Sequence, residues 1–327
     1  MQKTEKRILL LLTGGTFAST EQGDGLKPTL TADDIFPYIS KALCGVSVEV
    51  DSVFCMDSSD MQAAHWTALA QRVRQSWKDF EGFVIVHGTD TLTYTAAALG
   101  MLLGEIDKPV ALTGAQLPLK AAGSDAVSNL HDALQVACFS PARGVSVVFH
   151  GKIFDAFHTR KADTQKMDAF ESFNFPLLGT VSGSAVRLNR PAPLSPFHFT
   201  DAVSDQVAMI SVSPTLSPKV ALAAGNGCKA LVLECYGLGG IPHRLVPVLT
   251  KLNEQGTIVA AVTRCPKGRT DLSVYEVGHA AISAGVQCVS GVPAETVCVL
   301  LSCLLAENRT PAQRIDALQH WAAAMEP

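Results

Sequence analysis

The chain has 327 residues, of which 47% are hydrophobic and 17% charged, and a formal net charge of −4. The length fits about two domains of roughly 150 residues. The apolar balance excludes a disordered chain, and the absence of a basic excess gives no sign of a nucleic-acid or anionic-membrane partner.

The amino terminus imitates a secretory signal. Its apolar run, Ile8 to Leu12, is five residues long, whereas a signal core needs about 7–15. Short apolar runs then recur at 7–12, 82–87, 109–113, 144–149, 207–212, 229–235, 257–263 and 286–290. They are rich in Val, Ile and Leu, as strands buried on both faces are. Segment 46–55 alternates more and reads as a strand nearer an edge. Helices are expected at 62–79, 91–104, 124–138, 243–255, 273–284, 294–306 and 311–324, with Ser124 and Asp125 able to cap the third. This alternation predicts βαβ units: an α/β protein with a larger, doubly wound, mostly parallel N-terminal sheet (1–185) and a smaller C-terminal α/β domain (207–327). Between them, 186–206 is Pro-rich, Arg190-Pro-Ala-Pro-Leu-Ser-Pro196 included, and reads as the linker. No run reaches the roughly 18 apolar residues of a membrane span. The nine cysteines include no C-x-x-C and no Cys/His cluster with metal spacing. They read as small buried hydrophobes in a reducing, cytoplasmic setting.

Ligands of doubly wound sheets bind outside the carboxyl ends of the strands. Thr13-Gly14-Gly15-Thr16 follows the first run. His87-Gly88-Thr89-Asp90-Thr91 follows the second, and Gly114-Ala115-Gln116 the third. Neither G-x-G-x-x-G after the first strand nor G-x-x-x-x-G-K-[ST] is present, so no nucleotide fingerprint fits. Hydroxyls beside glycines at separate strand ends put nucleophiles where the backbone can bend sharply and a ligand can approach it.

Here the sequence resembles the bacterial L-asparaginases, nearest the cytoplasmic type I members. The resemblance rests on Thr13-Gly-Gly-Thr-Phe-Ala18, His87-Gly-Thr-Asp-Thr91, Asp57-Ser-Ser-Asp-Met61, Thr113-Gly-Ala-Gln-Leu-Pro118, Arg160-Lys161 with Asp168-Ala-Phe170, Tyr236-Gly-Leu-Gly-Gly240 and Val274-Tyr-Glu-Val-Gly278. It covers nearly the whole chain. It implies hydrolysis of L-asparagine to L-aspartate and ammonia, without metal or organic cofactor. It implies Thr16 as the acylated hydroxyl, and Thr89, Asp90 and Lys161 as a second catalytic set that positions or activates water. Substrate binding is implied for Asp57, Ser58, Ser59, Asp90, Gly15, Gly88 and Ala115, the peptides after the two glycines being candidate oxyanion donors. It further implies a homodimer or homotetramer, with Glu276 a candidate contribution from a neighbouring subunit.

On spacing alone several of these have ordinary readings. Lys161 is a loop lysine beside Arg160 and Lys166, Asp57–Asp60 a turn or helix cap, and Glu276 an exposed helix-start acid. One departure stands out. The loop Ala18–Pro28 lacks the tyrosine that many relatives carry there, and the nearest, Tyr38, is expected in a helix beyond it. Gly23 and Gly25 still make the loop a candidate lid. Ser19, Thr20, water or a partner-subunit group are then candidates for activating Thr16. Two other readings stay open. An aminoacyl-tRNA amidotransferase subunit is disfavoured by a first strand that begins at residue 7 and by the missing basic signal. The other is an inactive small-ligand module. Preference for asparagine over glutamine turns on one methylene, worth about 1–3 kcal/mol, and stays undecided.

Overall fold

The apolar runs become strands whose burial explains their composition. A computed structural model describes residues 6–23, 25–39, 46–139, 141–196 and 199–326. The first residues of the signal-like start, Asp24 of the loop, Cys44, and 197–198 of the expected linker lie outside the described residues. The chain divides into two compact units, Met1–Ser172 with Pro176–Ser195, and Phe173–Phe175 with Pro196–Pro327.

The first unit carries β1 (Lys6–Gly14), β2 (Ser19–Gln22), β3 (Gly25–Pro28), β4 (Val46–Met56), β5 (Gly82–Val86), β6 (Pro109–Thr113), β7 (Gly144–Phe149), β8 (Lys152–Asp155), β9 (Thr159–Lys161), β10 (Phe170–Ser172), β11 (Gly179–Ser182) and β12 (Ala185–Leu188). Its main sheet runs β12-β11-β8-β7-β6-β5-β1-β4. Strands β4, β1, β5, β6 and β7 are parallel, while β8, β11 and β12 extend the sheet through antiparallel pairs. Every residue of β5, β6 and β7 is buried, which is why these strands read as unbroken apolar runs. β4 is half-exposed and forms the edge, as its alternation predicts. The helices are α1 (Ala32–Ile39), α2 (Ala63–Gln75), α3 (Leu92–Leu103) and α4 (Ala126–Cys138).

The second unit has the sheet β13 (Val207–Ser211), β14 (Ala230–Cys235), β15 (Ile258–Thr263) and β16 (Gln287–Cys288), parallel in that order. Its helices are α5 (Pro218–Asn226), α6 (Val246–Glu254), α7 (Glu276–Ser283), α8 (Ala294–Ala306) and α9 (Pro311–Met325). Leu231, Leu233, Val259, Leu245, Leu249 and Leu252 form the heart of its core.

The fold is thus two-domain α/β, with a mixed rather than purely parallel larger sheet. The sequence pattern missed the short antiparallel strands β8 to β12, too brief to show a period. It also missed α5, where Ser217 caps and Pro218 opens an Ala/Gly-rich segment. Tyr38 does lie in a short helix, α1. β12 occupies 185–188, at the head of the segment expected as linker. No described helix is long and apolar enough to cross a membrane.

Candidate active site

The strand order 4-1-5-6-7 makes β1 the switch point: the chain leaves it for β4 on one side, then returns to place β5 on the other. A crevice opens at the carboxyl ends of such strands. Glycines let the loops there touch. Gly15 has φ +72°, and a Cβ on it would lie 2.3 Å from the Cα of Gly88. A Cβ on Gly88 would lie 2.5 Å from Ser58 Oγ, and one on Gly114 2.3 Å from the carbonyl oxygen of His87. Gly15 N–H also donates to Met56 O at 2.9 Å. Four strand-end loops, separated in sequence, therefore meet backbone to backbone, and any larger residue at Gly15 would push them apart.

Thr89, Asp90 and Lys161 are brought together directly. The Lys161 ammonium nitrogen lies 2.8 Å from Thr89 Oγ1 and 2.6 Å from Asp90 Oδ1. Thr89 is buried, and the Lys161 side chain is 18% exposed against 67% for Asp90. The lysine is thus held inside while the carboxylate faces solvent on its far side. Lys161 ends β9, which pairs with β10 in a separate two-stranded ribbon. A tight turn feeds that strand. Asp155 Oδ1 accepts from Phe157 N–H at 2.9 Å and bonds His158 Nδ1, and both the Asp155 and His158 side chains are fully buried. The Phe157 ring lies where a Cβ on Gly100 of α3 would be, 2.7 Å away. Helix α3 starts immediately after Thr91, so the notch at Gly100 ties the lysine strand to the helix that follows Asp90.

Thr16 opens a single 3-10 turn (Thr16–Ala18) and is partly buried. Its place is fixed through Gly15, whose carbonyl accepts from Ser19 Oγ at 2.9 Å and Ala18 N–H at 3.1 Å. The Gly88 carbonyl is held similarly, by His87 Nδ1 at 2.8 Å. His87 is fully buried, and desolvation pushes it down to about 4, so it is neutral. Trp66 Nε1 donates to Thr95 Oγ1 at 3.1 Å, and Thr95 lies 2.9 Å from His87 Nε2. The Gly88 carbonyl can only accept, so Nδ1 carries the proton and the Thr95 hydroxyl donates to Nε2. In a trans peptide the N–H points opposite the carbonyl. With both carbonyls turned inward, the N–H groups of Thr16 and Thr89 face the other way, and neither has a partner among the described residues.

The other expected residues fall into two groups. Ser58 is buried against Gly88, its carbonyl accepting from Thr91 Oγ1 at 2.7 Å, and Ala115 is buried beside Gly114. Asp57 is turned onto its own loop: Oδ1 accepts from Ser59 N–H and Ser59 Oγ, both at 2.8 Å, which holds its carboxyl below the usual range. Asp57 and Ser59 thus act on each other as a capped turn. Glu276 lies in the second unit at the start of α7, exposed, 3.2 Å from His243 Nε2. The glycine loop is an antiparallel hairpin, β2 with β3, and Thr29 and Leu30 N–H groups anchor its base on Ala18 O. Ser19 Oγ is committed to the Gly15 carbonyl and Thr20 Oγ1 contacts Thr29 Oγ1 at 2.7 Å. Among the described residues no three His, Cys, Asp or Glu side chains group to hold a metal ion.

Residues 7–194 match the family model for the asparaginase N-terminal domain, and 206–318 the model for the glutaminase/asparaginase C-terminal domain. The chain belongs to the asparaginase family. It is 35% identical to an L-asparaginase of Thermococcus kodakarensis over 86% of this chain and 87% of that one. It is also 35% identical to L-asparaginase 1 of Escherichia coli K12 over 71% and 70%. A component of the glutamyl-tRNA(Gln) amidotransferase of Thermofilum pendens is 30% identical over 94% of this chain and 72% of that one. A solved structure of the thermostable T. kodakarensis L-asparaginase superposes with a TM-score of 0.89 at 31% identity, covering 98% of this chain and 99% of that one.

In this member of the asparaginase family, sequence reasoning missed the side chains behind the site. Asp125, expected to cap α4, makes no such cap bond. Its two oxygens accept from Gln116 N–H at 3.0 Å each, and Oδ1 from Leu117 N–H at 3.1 Å. Asn129 Nδ2 bridges Asp125 Oδ2 and Gly114 O, at 2.9 and 3.0 Å. Asp155, His158 and Gly100 also have no signal in the sequence, because their roles depend on packing between distant segments.

Proposed function

We propose that this asparaginase-family hydrolase is an L-asparaginase that uses Thr16 as nucleophile. Thr16 Oγ1 attacks the side-chain amide carbon of L-asparagine. The C–N bond breaks, and ammonia leaves carrying the hydroxyl proton of Thr16. The developing oxyanion is met by the N–H groups of Thr16 and Thr89, fixed in advance by the inward-turned carbonyls of Gly15 and Gly88. Water then attacks the acyl-Thr16 ester in reach of Thr89 and Lys161, releasing L-aspartate and restoring the hydroxyl. The Asp90 carboxylate, exposed on its outer side, receives the substrate ammonium, and the buried Ser58 turn the substrate carboxylate.

The observation that carries this reading is the Lys161–Thr89–Asp90 bonded set at the carboxyl end of β5, beside the Gly15–Gly88 contact. The same set disfavours an inactive binding module, which has no need of a largely buried amine on a hydroxyl. The test is ammonia release from free L-asparagine, with L-glutamine in parallel. Purified protein should turn over L-asparagine, and Thr16→Ala should lose that activity while keeping its fold by circular dichroism. A folded wild-type protein inert toward both amides would defeat the proposal. We further propose a homodimer or homotetramer, decided by light scattering of the purified protein, and a cytoplasmic location, decided by cell fractionation.

A further inference from the structure

Gln116 lies against Thr89 and is assigned no role by its motif. Its Oε1 is 3.4 Å from Thr89 Oγ1, while its Nε2 donates to Lys166 O at 3.1 Å and lies 3.5 Å from Asp163 O. Those two carbonyls fix which way the amide faces. Both accept only, so they take the NH2 group and the oxygen must look at Thr89. Thr89 therefore has an acceptor on one side and the amine of Lys161 on the other. A hydroxyl has one proton to donate, and among the described residues Gln116 is its acceptor. Lys161 then presents N–H to Thr89, and its second bond goes to Asp90. The 3.4 Å contact is long, as hydrogen bonds of catalytic groups often are before substrate binds. The amide is held from behind as well, because the backbone N–H of Gln116 is clamped by Asp125.

We propose that Gln116 is a positioning residue that sets the direction of the Thr89 hydroxyl and ties it to the loop after Lys161. This rests on the proposed function, since it assigns Gln116 a part in the same hydrolysis. In the resting site the Thr89 hydroxyl donates to the amide oxygen of Gln116. For Thr89 to donate to the attacking water instead, its hydroxyl must rotate away from Gln116, whose oxygen accepts only and so gives up the bond while the water is engaged. The charged groups around Gln116 are Asp90 and Lys161 across Thr89, Asp163 and Lys166 on the clamped loop, and Asp125 behind.

Two variants test this by steady-state kinetics with L-asparagine across pH 5–9. Gln116→Leu keeps the volume and removes both polar ends. It should lower kcat by about 10- to 100-fold with KM within about threefold. Gln116→Glu reproduces the amide pattern only when protonated, donating to Lys166 O while accepting from Thr89. Its kcat relative to wild type should be highest at the acid end and fall with rising pH, a trend a merely structural role would not produce. Wild-type kcat in Gln116→Leu, or a pH-independent ratio for Gln116→Glu, overturns the proposal. Thr89→Val and Lys161→Met run alongside. If those two remain active, the underlying reading has failed; if they are inactive while both Gln116 variants behave as wild type, only the role of Gln116 has.

Discussion

At the scale of single residues, the site depends on polar groups held in place by their neighbours. Lys161 is the sharpest case: replacing it with Met removes the amine from Thr89 and leaves Asp90 without its cation. Turnover of L-asparagine should fall by about 10²- to 10⁴-fold, the range of acid–base catalysis, with thermal stability little changed. Unaltered kcat in a folded Lys161→Met protein would remove the amine from the mechanism. His87 makes a different prediction. Its folded-state pKa, about 4, lies below the ordinary 6.5. The unfolded chain therefore takes up a proton that the folded chain refuses as pH falls from about 6.5 to 4. Stability is lost over that window, by on the order of 2–3 kcal/mol. Urea unfolding at pH 7 and pH 4 should show a smaller pH dependence in His87→Gln than in wild type. Equal dependence would mean that His87 is not buried neutral.

At the scale of elements, the decisive contacts are places where a helix or loop lacks a side chain. Gly100 sits within α3, and Phe157 fills the space a Cβ would take. Gly100→Ala should cost about 1–3 kcal/mol through overpacking. It should also lower kcat, because Phe157 lies four residues before Lys161 in the turn held by Asp155. Calorimetry and kinetics on the same preparation separate the two effects, and a stable variant with full kcat would show that the notch does not place the strand. The elements are legible unevenly. β5, β6 and β7 stand out because they are buried on both faces, and α9 because Thr310 and Gln313 form a reciprocal cap ahead of an apolar stripe. The β2–β3 hairpin does not, since Ser19–Pro28 has turn chemistry but no clear alternation. Asp125 misleads for a related reason. A carboxylate at a helix start usually caps it, and here a loop nine residues upstream offers two N–H donors instead.

At the scale of the whole molecule, thiol chemistry reports the fold. None of the described cysteines is in a disulfide. Cys55 is exposed, whereas Cys235 and Cys303 are buried, and burial pushes the Cys303 thiol up to about 12 and raises that of Cys235 as well. A thiolate-selective reagent on the native protein should label Cys55 first and leave Cys235 and Cys303 untouched until denaturant is added. Early labelling of Cys235 would mean that the second unit opens in the native state.

From sequence alone came the family, the α/β architecture and the strand-end position of the Thr-Gly turns, because burial on both faces and glycine-bearing turns leave local marks. Lys161 shows the limit of that reading: by spacing it is a surface lysine between Arg160 and Lys166. Only the folded chain seats its amine on Thr89 and Asp90, turns the Gln116 amide toward the same hydroxyl, and directs Asp125 to a loop rather than a helix end. Each of these depends on the distance between side chains far apart along the chain, which a periodic pattern does not encode and close packing of several elements does.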